Sequence, residues 1–66
     1  MKSIKNLRFN LKDLRIRKDL TQLELAEELK VSHQTISNRE NGQVPPLKEL
    51  IKIAEFFKVS IDDLLM

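Results

Sequence analysis

The 66-residue sequence predicts an all-α fold, one compact bundle of five short helices. Three observations carry this reading. Apolar residues recur at three- and four-residue spacing along most of the chain. Capping signatures stand before several of the periodic runs. One glycine and two prolines leave little punctuation, and no stretch alternates as a strand would.

The elements follow in order. Leu7, Leu11 and Leu14 obey an i, i+4, i+7 pattern, which places a first helix over about residues 6–18. Thr21-Gln22-Leu23-Glu24 has the form of a capping box, in which hydroxyl and carboxylate each satisfy a free amide. It opens a second helix over residues 22–29 that buries Leu25, Ala26 and Leu29. Ser32 suits the N-cap of a third helix, from His33 to about Asn41, which Gly42 ends. Pro45-Pro46 marks a loop, with Pro46 placed for the first position of a fourth helix ending near Phe57. Ser60-Ile61-Asp62-Asp63 opens a short fifth helix through Leu65, with its acids in the first turn.

Length allows a single domain over residues 1–66, with residues 1–5 as a short N-terminal arm. Cysteine is absent, so there is no disulfide, and His33 as the lone imidazole leaves no metal-ligand set. The expectation is no metal and no cofactor. No Ser/His/Asp grouping and no glycine-rich phosphate loop occurs, so the chain reads as a non-enzyme with no small-molecule ligand evident. No run approaches the roughly 20 apolar residues of a membrane span, and the basic start leads into no apolar signal core. A cytoplasmic protein with no membrane partner is expected. Charge is unevenly spread: residues 1–20 hold seven basic side chains against two acidic, residues 21–66 five against eight. Such polarity suggests one side built to meet an anion.

The second and third helices are separated by Lys30-Val31-Ser32 alone. Helices joined by so short a turn cross steeply, as in a helix-turn-helix. Small Ala26 sits where they would approach, Val31 fills the turn, and Ile36 anchors the third helix to the core. At 100° per residue His33, Gln34, Ser37, Asn38 and Asn41 fall within one arc of about 140°, with Ile36 well outside it. Amide side chains suit base edges, since Gln and Asn can hold adenine bidentately while Ser is more permissive.

In these residues the chain resembles the Cro/C1-type (XRE-like) helix-turn-helix regulators. The resemblance spans about Leu7 to Leu65 and rests on the order and spacing of several pieces. They are Leu11-Lys-Asp-Leu-Arg15, Leu20-Thr-Gln-Leu-Glu-Leu-Ala26, Leu29-Lys-Val-Ser32, Gln34-Thr-Ile-Ser37, Glu40-Asn-Gly42, Pro46-Leu47, Ile53-Ala54 and Val59-Ser-Ile-Asp62. It implies a lambda-repressor-like DNA-binding fold, double-stranded DNA as partner, and the third helix as recognition helix in the major groove. Base reading then falls to His33, Gln34, Ser37 and Asn38. Gln22 and Asn41 match positions that contact the DNA backbone, Gln22 at a helix start whose free amides favour phosphate. Lys48 can reach the same strand or stay solvated. Arg15 and Glu40 match a pair that joins the first helix to the recognition helix, a structural ion pair.

Lys30 and Lys58 stand where the family usually turns through glycine. Left-handed geometry there costs a non-glycine residue about 1 kcal/mol. Arg39 replaces a usual large apolar residue. Its stem should cover the core edge, its guanidinium should meet solvent or an acidic partner, and replacement by Leu or Trp should keep or raise stability. The function expected is a homodimeric transcriptional regulator, a repressor, whose recognition helices enter successive major grooves about 34 Å apart. The dimer contact is placed in the C-terminal region, at Phe56, Leu65 and Met66. The alternative is the antitoxin of a toxin–antitoxin pair, or another protein-interaction module of a phage or restriction-control system.

Overall fold

The computed structural model describes residues 9–65. Its elements are α1 (Leu11–Arg17), α2 (Gln22–Leu29), α3 (His33–Glu40), α4 (Leu47–Phe57) and α5 (Ile61–Leu64), with no strand among the described residues. The fold is all-α, with a helix-turn-helix in α2 and α3. No helix among these residues is long and apolar enough to cross a membrane.

Local chemistry sets most boundaries. The Thr21 hydroxyl accepts from the Glu24 amide at 3.0 Å, while the Glu24 carboxylate accepts from the Thr21 amide at 2.8 Å. Ser32 accepts from the Thr35 amide at 3.0 Å. Ser60 and Asp63 form a second capping box, with bonds of 3.1 and 3.3 Å.

Two boundaries differ from expectation. The first helix begins at Leu11, not near residue 6; Leu7 lies outside the described residues, and Phe9 and Asn10 are not helical. The reason is tertiary. The Asn10 amide donates to the Leu64 carbonyl at 2.8 Å, and its side chain donates to the Asp63 carbonyl at 3.0 Å. Asn10 therefore satisfies carbonyls at the end of α5, which have no helical partner of their own. Pro46 is the N-cap of α4 and not its first residue: its carbonyl accepts the Leu50 amide at 3.0 Å while its ψ of 162° remains extended.

The corners between helices reuse one device. The Lys30 backbone is left-handed at φ 60°, and the Val31 amide returns to the Ala26 carbonyl at 3.0 Å. Lys58 repeats this at φ 58°, with the Val59 amide on the Ala54 carbonyl at 3.0 Å. Both are Schellman closures built on a non-glycine residue. The sequences match as well, Ala-Glu-x-x-Lys-Val-Ser at 26–32 and again at 54–60. Asp19, at φ 60°, turns the α1–α2 corner, where the Leu20 amide bonds the Arg15 carbonyl at 3.1 Å.

Each helix sends one side chain to the centre. Leu11, Leu25, Ile36, Ile53 and Leu64 have no exposed surface, and each contributes about 1.5–3 kcal/mol of transfer free energy. Ala26, Leu29, Leu50, Ala54 and Phe57 complete the core, with Leu14 and Val31 half-buried against it. Phe56 and Leu65 are also half-buried at the core edge. The Phe56 ring packs edge-on against Phe57 and lies 5.5 Å beneath the Lys18 ammonium. Met66 lies outside the described residues.

Candidate nucleic-acid interface

The three-residue corner after α2 leaves α3 crossing it closely, and Ile36 is the one α3 side chain enclosed in the core. With that residue inward, the opposite side of α3 must face out. His33, Gln34, Asn38 and Asn41 are exposed and Ser37 is half-buried. The structure thus brings the expected arc together on one surface, with Asn41 as the C-cap of α3. The Gln34 amide nitrogen donates to the Asn38 amide oxygen at 3.0 Å. That bond orients both groups and leaves the Gln34 oxygen and the Asn38 nitrogen free for a ligand.

Behind this surface lies a polar chain that reaches three helices. The Arg15 guanidinium grips Glu40 through Nε at 2.6 Å and a terminal nitrogen at 3.1 Å, and its other terminal nitrogen donates to the Leu20 carbonyl at 2.8 Å. Glu40 is 4% exposed and Arg15 13%. The expected pair is therefore enclosed as well as formed. Desolvation is the largest influence on the Glu40 carboxyl and works against its charge. The Arg15 and Gln22 hydrogen bonds, with the charges of Arg15 and Lys12, together outweigh it and hold the carboxyl below its ordinary range.

Gln22 continues the chain. Its amide nitrogen donates to Glu40 at 3.0 Å, and its oxygen faces His33 Nε2 at 2.9 Å. Glu40 can only accept, which fixes the amide orientation, and the amide oxygen can only accept from His33. His33 Nε2 therefore carries a hydrogen directed at Gln22. The outer ring nitrogen of His33 is engaged within the protein, a link that the position of His33 on the polar arc does not reveal.

Arg39 sits at the flank of α3, and Glu49 on α4 is its acidic partner. Nε and a terminal nitrogen each donate to the Glu49 carboxylate at 2.8 Å, and the other terminal nitrogen meets Gln43. The pair is 16% and 18% exposed. Lys48 lies apart from these networks, exposed on the first turn of α4, where it lines a shallow hollow with Val31, Pro46, Glu49 and Lys52.

A two-helix corner, a core-anchored second helix and an outward amide-rich face define a helix-turn-helix. The helix-turn-helix family matches residues 11–64, which is α1 through α5. The chain belongs to the Cro/C1-type helix-turn-helix family. Among its relatives in this family is the HTH-type transcriptional activator BcrR of Enterococcus faecalis, 50% identical over 56 residues. That match takes in 83% of this chain and 28% of BcrR, so the chain spans under a third of that relative's length. Another is the uncharacterized HTH-type transcriptional regulator MJ0272 of Methanocaldococcus jannaschii, 49% identical over 55 residues, covering 82% of this chain and 83% of that protein. Both relatives are helix-turn-helix regulators of transcription.

Proposed function

We propose that residues 1–66 act as one sequence-specific DNA-binding unit, a dimeric cytoplasmic repressor that reads the major groove with residues 33–41. The observation that carries this is the division of α3: Ile36 is enclosed while Gln34, Asn38 and Asn41 stand exposed with hydrogen-bonding capacity unspent. The free Gln34 oxygen and Asn38 nitrogen form an acceptor–donor pair, which complements the N6 and N7 edge of adenine. Ser37 lies on the His33 side of both in the arc and reads the neighbouring position. His33, tied to Gln22, contributes at the edge of the read sequence. Gln22 keeps a second amide hydrogen beyond the one given to Glu40, and at the start of α2 it meets a phosphate with the free amides of that helix. Asn41 adds a backbone contact, and the basic N-terminal third supplies long-range attraction. Occupancy of promoter DNA by such a unit blocks polymerase, which makes repression its direct effect.

Selection of bound sequences from random duplex DNA tests the reading. Enriched half-sites should be palindromic and one helical turn apart, and binding should weaken steeply with salt. Gln22→Ala should weaken all sequences alike. Gln34→Ala, Ser37→Ala and Asn38→Ala should each relax preference at particular base pairs, by about 1–3 kcal/mol for a good bidentate contact. No enrichment from the random pool, or three reading-face variants that keep both affinity and preference, overturns the assignment.

A further inference from the structure

The large apolar side chains exposed among the described residues are Ile16, Leu23, Val44, Leu47 and Ile51. Ile16 and Leu23 are single positions on α1 and α2. The other three fall within eight residues, directly after the recognition helix. Leu47, 63% exposed, and Ile51, 42% exposed, are one turn apart on α4 and share a face. By contrast, Phe56 and Leu65 are drawn in against the core, and Lys18 covers the Phe56 ring.

The charges beside this stripe give it a symmetry. Counted from Leu47 at 100° per residue, Ile51 lies at about 40°, Glu55 at about 80° and Lys48 at about 100°. Lys48 and Glu55 are thus on the same flank of the stripe, about two turns apart, with opposite signs at opposite ends. Both are exposed, and neither joins an ion pair among the described residues. Such a face complements its own image rotated by a two-fold axis, which is the condition for an isologous interface. Two α4 helices crossing antiparallel about an axis near Ile51 and Lys52 bring the apolar stripes together. They also set Lys48 of each copy opposite Glu55 of the other.

We propose that this face of α4, with Val44 at its border, is where a second copy of the chain docks. The proposal rests on the reading of the protein as a dimeric DNA-binding regulator, and it gives that dimer its surface. Residues 42–46 connect the face directly to the end of α3, so pairing there sets the separation of the two recognition helices. One helix face per copy is a small interface, suited to association in the micromolar range that DNA then reinforces.

Sedimentation equilibrium of the full chain without DNA is the test, with far-ultraviolet circular dichroism to verify folding. The wild-type chain should dimerise at micromolar concentrations. Ile51→Asp should be a folded monomer, since the position already faces solvent. Lys48→Glu and Glu55→Lys should each weaken association at least tenfold, and the double variant Lys48→Glu/Glu55→Lys should recover most of that loss. A wild-type chain that stays monomeric up to hundreds of micromolar and on its selected operator overturns the dimeric reading itself. A wild-type dimer indifferent to Ile51→Asp and to both charge reversals leaves that reading standing and removes this surface.

Discussion

At Glu40 a guanidinium from α1 and an amide from α2 converge on one carboxylate of α3, and the position has consequences for pH. Its folded-state carboxyl lies below the ordinary range, so the stability it contributes is complete above that range. The contribution is lost as pH falls through the ordinary glutamate range toward the folded value. Urea midpoints should therefore hold steady near neutrality and drop on acidification. Glu40→Gln should cost about 2 kcal/mol at pH 7 and flatten part of that acid limb; a variant with an unchanged acid limb would remove Glu40 as its source. Arg39 differs from what its family position suggests. Its expected acidic partner is present, but Glu49 is 18% exposed and held bidentately. Arg39→Leu, expected from sequence to be neutral or stabilising, should instead destabilise by about 1–3 kcal/mol, because it leaves a mostly enclosed carboxylate without its donor. Arg39→Leu/Glu49→Leu should recover that loss, as replacing a whole ion pair often does. Thermal melts of the single and double variants decide it: equal melting points for wild type and Arg39→Leu would restore the simpler expectation.

At the scale of the element, what the sequence reveals depends on how local the cause is. Caps and stops are local, so the limits of α2, α3 and α5 could be read to within a residue from Thr21, Ser32, Gly42 and Ser60. The polar arc of α3 was equally legible, because it needs only helical spacing and one inward residue, Ile36. The start of α1 was not. Periodicity carries on through Leu7, whereas the observed start depends on Asn10 bonding a carbonyl 53 residues away. The Gln22–His33 link, and Glu49 as the particular partner of Arg39, are hidden for the same reason, since each joins two helices. The reused Ala-Glu-x-x-Lys-Val-Ser corner was available in the letters, but only the matching backbone at Lys30 and Lys58 gives it meaning. Each corner holds a lysine in left-handed geometry at a cost of about 1 kcal/mol relative to glycine. Lys58→Gly, far from the recognition surface, should raise stability by up to about that amount, or about 4–8 °C in a domain of this size. A lowered melting point would mean that the Lys58 side chain contributes more than its backbone costs.

The whole molecule sets a limit that neither residues nor elements show. A chain of 66 residues hides a modest share of its surface on folding, and among the described residues five helices meet around five fully enclosed side chains. Disulfides are not available to add to this, since the sequence has no cysteine. Self-association is a route that can add to it, and it couples stability to concentration by mass action. If the exposed Leu47–Ile51 face is closed by a second copy, the paired chain is held folded by its partner as well as by its own core. Raising a binding partner from well below its dissociation constant to about 100 times that value adds about 2.7 kcal/mol. Shared between two chains, this corresponds to several degrees in melting temperature. The wild-type melting point should therefore climb as protein concentration rises across the micromolar range, and that of Ile51→Asp should not. The two slopes can be read in one series of melts at fixed salt and pH. A wild-type melting point that stays constant over two decades of concentration would show that this core suffices alone, and that the apolar face of α4 adds nothing to the stability of the free protein.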